Sequence, residues 1–240
     1  MPAHEARLAR RDWVAEGTMA FRFSKPSGFG HQAGQSLLMM LVDPPETDSE
    51  GDARTFTIAS APHEAELMIA TRMRDTAFKR VLKAAPVGTA VRIDGPNGEM
   101  VLHDDPARPA VLLAGGIGIT PFLSMARDAA HRRLPHRLYL FYSNRRPEDA
   151  AFLAELQQME QLNRNFRLIA TMTEPEKSAQ RWPGETGFIR RELLERHQPD
   201  LLSPVYYFAG PPAMTMAMQQ MLQDLGVGDE ATRSEEFYGY

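Results

Sequence analysis

Apolar and polar positions alternate with two different periods along this chain. From residue 18 to 102 the period is close to two, in the runs TMAFRFS, SLLMMLVD, RTFTIAS, ELMIATRM and TAVRIDG, which are divided by Pro, Gly and acidic clusters. Short strands spaced this closely, with little helix between them, predict an antiparallel barrel or sandwich. One helix interrupts them over Thr76–Ala85, where Phe78, Val81 and Leu82 share a face and Asp75 or Thr76 stands at the capping position. The loop Pro44–Asp52 is acidic and is expected to be mobile.

Beyond residue 109 the period changes. Continuous apolar runs (PAVLLAG, HRLYLFYS, FRLIATMT, SPVYYFAG) alternate with helical stretches (PFLSMARDAAHRR, PEDAAFLAELQQMEQL, IRRELLERH, PPAMTMAMQQMLQDLG). That alternation predicts βαβ units and a doubly wound parallel α/β sheet. The switch falls in HDDPARP, so the expected division is a β-barrel domain over residues 1–104 and an α/β domain over 105–240.

Composition narrows the chemistry. The chain has 240 residues, 43% apolar and 24% charged, which suits a folded globular protein. Its net charge of -4 gives no basic excess for nucleic acid or anionic lipid, so neither is an expected partner. With no cysteine, disulfides, thiol nucleophiles and cysteine-ligated iron–sulfur clusters are excluded within these residues, and redox chemistry would need a bound cofactor. No apolar run approaches the roughly 18 residues of a membrane span and the first residues carry no signal-like core, so a cytoplasmic location is expected. The seven histidines are scattered without metal-site spacing, and no G-x-S-x-G elbow is present. Met214, Met218 and Met221 follow helical spacing and read as core.

Three segments carry candidate chemistry. In AVLLAGGIGITPF an apolar strand runs into Gly115, Gly116 and Gly118 and then a helix opening at Pro121, a geometry that presents backbone N–H groups and a helix dipole to an anion such as a pyrophosphate. The spacing is not G-x-G-x-x-G, and a plain βα turn gives the same pattern. RTFTIAS joins a cation, a ring and hydroxyls on one strand, with Arg54, Phe56 and Ile58 on one face and Thr57 on the other, parts that a flat anionic ligand needs. YFAGPPAM repeats the strand, Gly-Pro turn and helix start, and the C-terminal ends of parallel strands are where such folds bind ligands.

In this order the three segments resemble the ferredoxin–NADP reductase superfamily, a flavin-binding barrel followed by a pyridine-nucleotide domain, and the likeness covers almost the whole chain. RTFTIAS is similar to its Arg-x-Tyr/Phe-Ser/Thr segment, GGIGITPF to its Gly-Gly-x-Gly-x-Thr-Pro turn, and FAGPPAM to its Cys-Gly-Pro-Pro-x-Met turn, with Ala209 where the family often has cysteine. The resemblance implies FAD held by Arg54 at the pyrophosphate, Phe56 and Ile58 near the ring, Thr57 at flavin N5, Ala70, Thr71 and Met73 along the ring, and Thr76, Phe78 and Lys79 at the phosphates. It implies that Gly116, Thr120, Gly210, Pro211 and Met214 meet the nicotinamide dinucleotide. Near the C-terminus, Glu236 with Phe237 is the expected acidic–aromatic pair, Tyr240 is a second stacking residue, and a docked edge strand explains the same aromatics.

Ser143, Arg145 and Arg146 after the second strand of the α/β half suit a 2′-phosphate, so NADP(H) is expected over NAD(H), although Asp149 stands within reach of a ribose. The implied activity is an FAD-dependent NAD(P)H oxidoreductase that moves a hydride from nicotinamide to flavin N5 and then electrons to a separate acceptor, a ferredoxin or flavodoxin. Two alternatives stay open: a flavin reductase using free flavin as substrate, and a non-catalytic flavin relay subunit.

Overall fold

The computed structural model describes residues 3–198 and 200–237. Its first half is one antiparallel sheet of six strands, β1 (His4–Ala15), β2 (Thr18–Ser24), β3 (Ser36–Leu41), β4 (Ala53–Thr57), β5 (Glu66–Arg72) and β6 (Ala90–Asn97), in the order β4-β3-β6-β1-β2-β5. The sheet curls until its edges meet: just past β4, the Ala59 N–H donates to the Met68 carbonyl of β5 at 2.7 Å. Alternate side chains point inward, as the pleat requires, so Leu8, Phe21, Phe23, Leu37, Met39, Phe56 and Ile69 fill the barrel. Helix α1 (Ala77–Ala84) closes it by adding Phe78 and Leu82 to that core. Thr76 is its N-cap, the side-chain oxygen accepting the Lys79 N–H, and the helix stops before Pro86.

Strand β1 is absent from the sequence expectation. Only Ala6 and Leu8 of its twelve residues are buried apolar side chains, and the Arg-rich remainder is largely exposed, so hydrophobic alternation does not mark it. Backbone pairing makes it a strand, with His4–Arg7 bonded to β6 and the rest bonded to β2.

The second half contains β7 (Ala110–Gly115), α2 (Ile119–Arg132), β8 (Leu138–Asn144), α3 (Leu153–Leu162), β9 (Phe166–Met172), β10 (Glu185–Thr186), α4 (Arg191–His197), β11 (Val205–Gly210), α5 (Pro212–Asp224) and β12 (Thr232–Glu236). All six strands are parallel, in the order β10-β9-β8-β7-β11-β12. Every residue of β7 and β11 is buried, because helices cover both faces of the sheet. Leu112, Leu140 and Tyr142 pack with Phe122 and Leu123 on one face, while Val111, Phe141 and Phe208 pack with Leu194 and Leu222 on the other. The stretch expected to be one helix from Pro147 is broken: a single 3-10 turn spans Pro147–Asp149, and α3 begins only after Phe152, which adopts a left-handed φ of 61°.

From β7 the chain winds outward through β8, β9 and β10, then returns to β11 and β12 on the other side. The strand order therefore reverses between β7 and β11, and a crevice opens at their C-terminal ends. The two halves are joined directly. Arg127 of α2 is bonded to Glu155 at 2.6 and 2.9 Å, to Glu64 at 3.2 Å and to the Ala59 carbonyl at 3.3 Å, and the Ser124 hydroxyl donates to the Ser60 carbonyl at 2.7 Å.

Candidate functional site

At the β7–β11 crevice two glycine turns press against each other. Gly116 adopts φ +53°, a left-handed conformation that favours glycine, and starts a 3-10 turn that runs into α2. The helix accordingly begins at Ile119, two residues before Pro121. A Cβ on Gly118 would lie 2.2 Å from the Ala209 carbonyl oxygen, and one on Gly115 would lie 2.3 Å from Met214 Sδ. The glycines thus let β7 and β11 end in contact with each other, Gly210 and Pro211 being part of that contact.

The barrel supplies the opposite wall. A cleft of about 440 Å³ runs along the seam, lined from the barrel by Arg54, Phe56, Thr57, Ala70, Thr71, Thr76 and Lys79 and from the α/β half by Ile117, Glu235, Glu236 and Phe237. Strand β12 delivers the last three: it pairs with β11 up to Gly210, and the Phe237 N–H donates to the Gly210 carbonyl at 3.0 Å.

Several polar groups here lack an internal explanation. Thr57 is 3% exposed and its hydroxyl has no hydrogen-bond partner among the described residues, a costly state for a buried polar atom unless a ligand completes it. Glu235 Oε2 is likewise buried without a partner, and burial pushes its carboxyl up to about 7. Four cations, Arg54, Arg72, Arg74 and Lys79, line the same cleft, Arg54 being paired with Asp48 and Glu50. Burial, followed by the neighbouring charges of Arg74 and Arg54, holds the Lys79 ammonium below its ordinary range. Mutual repulsion of this kind marks a place that favours an anion. The orphaned hydroxyl, the cation cluster and the glycine turns fit a flavin and a dinucleotide.

The remaining expected positions divide. Phe56 lines the cleft, but its ring packs 5.7 Å from Phe78 within the barrel core, where Ile58 also lies fully buried. Phe78 reaches the site through Arg54, whose guanidinium carbon is 5.3 Å from the ring centre. Met73 donates its N–H to the Gly17 carbonyl. The Thr120 hydroxyl donates to the Ile117 carbonyl at 3.1 Å and is buried. Ser143 is half-buried at the end of β8. Arg145 is exposed, 3.5 Å from Asp149, whereas Arg146 makes two 3.1 Å bonds to Asp149 and a third, of 3.0 Å, to Glu16. Glu236 accepts from the Thr215 hydroxyl at 3.3 Å. Tyr240 lies outside the described residues.

Sequence reasoning missed Glu235, Ile117 and Arg74, and took Arg72 only as backbone within the stretch Ala70–Met73. The adjacent Glu235-Glu236 pair was visible, but which carboxylate is buried depends on the register of β12. A second, larger cavity of about 840 Å³, lined from both halves, gathers His31, His63, His103, His131 and His136, side chains that look dispersed along the sequence. Among the described residues no three metal-ligating side chains are placed to hold an ion.

Residues 112–220 match the family model described as "Oxidoreductase NAD-binding domain". The glycine betaine monooxygenase reductase subunit of Chromohalobacter salexigens is 29% identical over 225 residues, covering 92% of this chain and 60% of that protein. One component of the Na(+)-translocating NADH-quinone reductase of Yersinia pestis is 31% identical over 206 residues, covering 80% of this chain and 50% of that protein. The chain thus spans half to three-fifths of the length of these curated relatives. Among solved structures, a ferredoxin NADP+ reductase from Neisseria gonorrhoeae with bound FAD and NADP superposes with a TM-score of 0.82 at 20% identity, covering 99% of this chain and 100% of that one, and shares its fold.

Proposed function

We propose that the chain is a member of the ferredoxin–NADP reductase superfamily of FAD- and NAD-binding oxidoreductases, taking reducing equivalents from NADPH and delivering them to a separate protein acceptor, a ferredoxin or flavodoxin, with FAD bound in the seam cleft. The observation that carries this reading is the convergence on one cleft of a cation-rich barrel edge, the unpartnered Thr57 hydroxyl and Ile117 of the glycine turn. FAD, when bound, supplies the exchange between two-electron and one-electron transfer.

The protein's own groups bind and orient. Arg54, Lys79 and the N–H groups opening α1 at Thr76 hold the flavin phosphates. Thr57 would offer its hydroxyl to the flavin ring, and Phe56 with Ala70 and Thr71 at the end of β5 and Met73 just past it would support the ring. Gly116, Thr120, Gly210, Pro211 and Met214 shape the nicotinamide side, against which Phe237 stacks. Glu235, half-buried with its Oε2 enclosed and its carboxyl pushed up by burial, holds a proton beside the cleft near neutral pH. We place the division between the two units at residues 104 and 105.

Ser143 and Arg145 are the groups assigned to the 2′-phosphate of NADPH. Asp149, which draws both Arg145 and Arg146, favours a second reading in which the nucleotide is NADH. Steady-state kinetics of Arg145→Ala separates them: a Michaelis constant raised at least tenfold more for NADPH than for NADH supports the phosphate role, and equal changes support the second reading. Retention tests the cofactor assignment. The FAD-reconstituted protein should leave gel filtration with about one FAD per chain and reduce ferredoxin or flavodoxin; colourless protein that turns over added flavin would make flavin a substrate.

A further inference from the structure

At the phosphate end of the cleft the anion seat is filled from within the chain. Asp48 Oδ1 lies 3.2 Å from Arg54 Nη2 and accepts the Glu50 N–H at 3.0 Å, while its Oδ2 accepts the N–H of Ala77, the first residue of α1, at 3.0 Å. Glu50 Oε2 approaches the same Arg54 nitrogen at 2.9 Å. The other terminal nitrogen, Nη1, donates to the carbonyls of Glu50, Gly51 and Ala53. Residues 48–53 therefore occupy the guanidinium end of Arg54 and the start of α1 together. Partial desolvation works against the Asp48 charge, yet the Ala77 and Glu50 N–H groups and Arg54 hold its carboxyl below the ordinary aspartate range. Lys79 and Arg74, in the same cleft, make no ion pair among the described residues.

We propose that the Pro44–Asp52 loop is an internal counter-ligand of the flavin phosphate site: the Asp48 carboxylate sits between Arg54 and the N-terminus of α1, and it withdraws before a flavin pyrophosphate enters. The proposal rests on the flavin reading of the cleft. The Arg54 and Ala77 donors that Asp48 takes up are those a pyrophosphate would need, and like charges brought together there repel. The exchange is feasible because a pyrophosphate offers more charge and more acceptor oxygens than one carboxylate, and Lys79 and Arg74 are at hand for it. The loop has a second tether outside the seat, where Glu46 binds Arg80 at 2.6 and 3.0 Å on α1, so Asp48 can leave without freeing the whole segment. A site open for only a fraction of the time binds its ligand more weakly by that fraction.

The test is stopped-flow quenching of FAD fluorescence by the full chain, wild type and variants. In wild type the observed association rate should level off as FAD rises, at the rate of loop opening. Asp48→Asn keeps the size and an acceptor oxygen for Ala77 but loses the charge; it should bind FAD about tenfold or more tightly, with a rate that climbs linearly. Glu46→Gln removes the same charge from the same loop outside the seat and should leave affinity within about twofold of wild type. Unchanged or weaker binding by Asp48→Asn, an equal gain from Glu46→Gln, or loss of the folded state in both Asp48→Asn and Asp48→Ser would overturn the proposal while FAD binding by wild type still stands. If no form binds FAD, the flavin reading falls with it.

Discussion

Thr57 is one of the expected site residues that line the seam cleft. Its place in RTFTIAS was legible, and the structure adds that its buried hydroxyl is unsatisfied. Thr57→Val keeps the shape and removes the orphaned oxygen, so the flavin-free protein should be as stable as wild type or more so. The rise in melting temperature on adding FAD should shrink, and reduction by NADPH should slow by about tenfold to a hundredfold, the loss of one hydrogen bond of roughly 1.5–3 kcal/mol. Thermal scans with and without FAD, with single-turnover kinetics, check both. Glu235 was not legible, since two adjacent glutamates differ only in which face of β12 each occupies. Burial raises its carboxyl from 4.5 to about 7, so the folded chain keeps a proton that the unfolded chain has lost between those values. Stability from this group is complete below pH 4.5 and disappears as pH rises through 7. Glu235→Gln should therefore gain melting temperature over wild type increasingly from about pH 4.5 to about 8, whereas a constant difference would mean that the carboxyl is not shifted.

At the scale of elements, runs with strong alternation or continuous apolar character were readable, and β2 runs over the residues TMAFRFS of the sequence pattern. The Thr76 cap was readable too, because a hydroxyl before an apolar stripe has a local cause. Strand β1 was not, because its side chains are mostly solvent-facing and carry no alternation, although β2 follows it directly. The gathering of five histidines in one cavity was hidden because only the tertiary fold brings together segments that the sequence separates. The contact of the two glycine turns makes a sharp prediction. Gly118→Ala would force a methyl group against the Ala209 backbone at 2.2 Å, where no flexible side chain can yield. A loss of about 1–3 kcal/mol in urea unfolding is expected, with weaker binding of NADPH and little change in FAD affinity. Full stability in this variant would show that the strand ends are not held so closely.

On the scale of the molecule, both halves and their order were visible in the change of hydrophobic period, but their mode of contact was not. That contact depends on Arg127, whose side chain is 13% exposed and joins α2 to Glu64 and Ala59 of the barrel and to Glu155 of α3. Arg127→Met leaves Glu155 without its cation and Glu64 with Arg22 alone, and should cost about 3 kcal/mol. Calorimetry should show a lower or divided transition, and flavin reduction should slow even where FAD remains bound. A single unshifted transition would assign the seam to other contacts.

One cleft is shared by the barrel and the α/β sheet, and it is the proposed seat of flavin and nicotinamide together. Anaerobic addition of NADPH or NADH to FAD-reconstituted protein, followed by visible absorbance, tests this most directly. Rapid, stoichiometric bleaching that Gly118→Ala slows from the α/β side and Thr57→Val slows from the barrel side is the predicted result. Bound flavin that stays oxidised in excess of both nucleotides would contradict it.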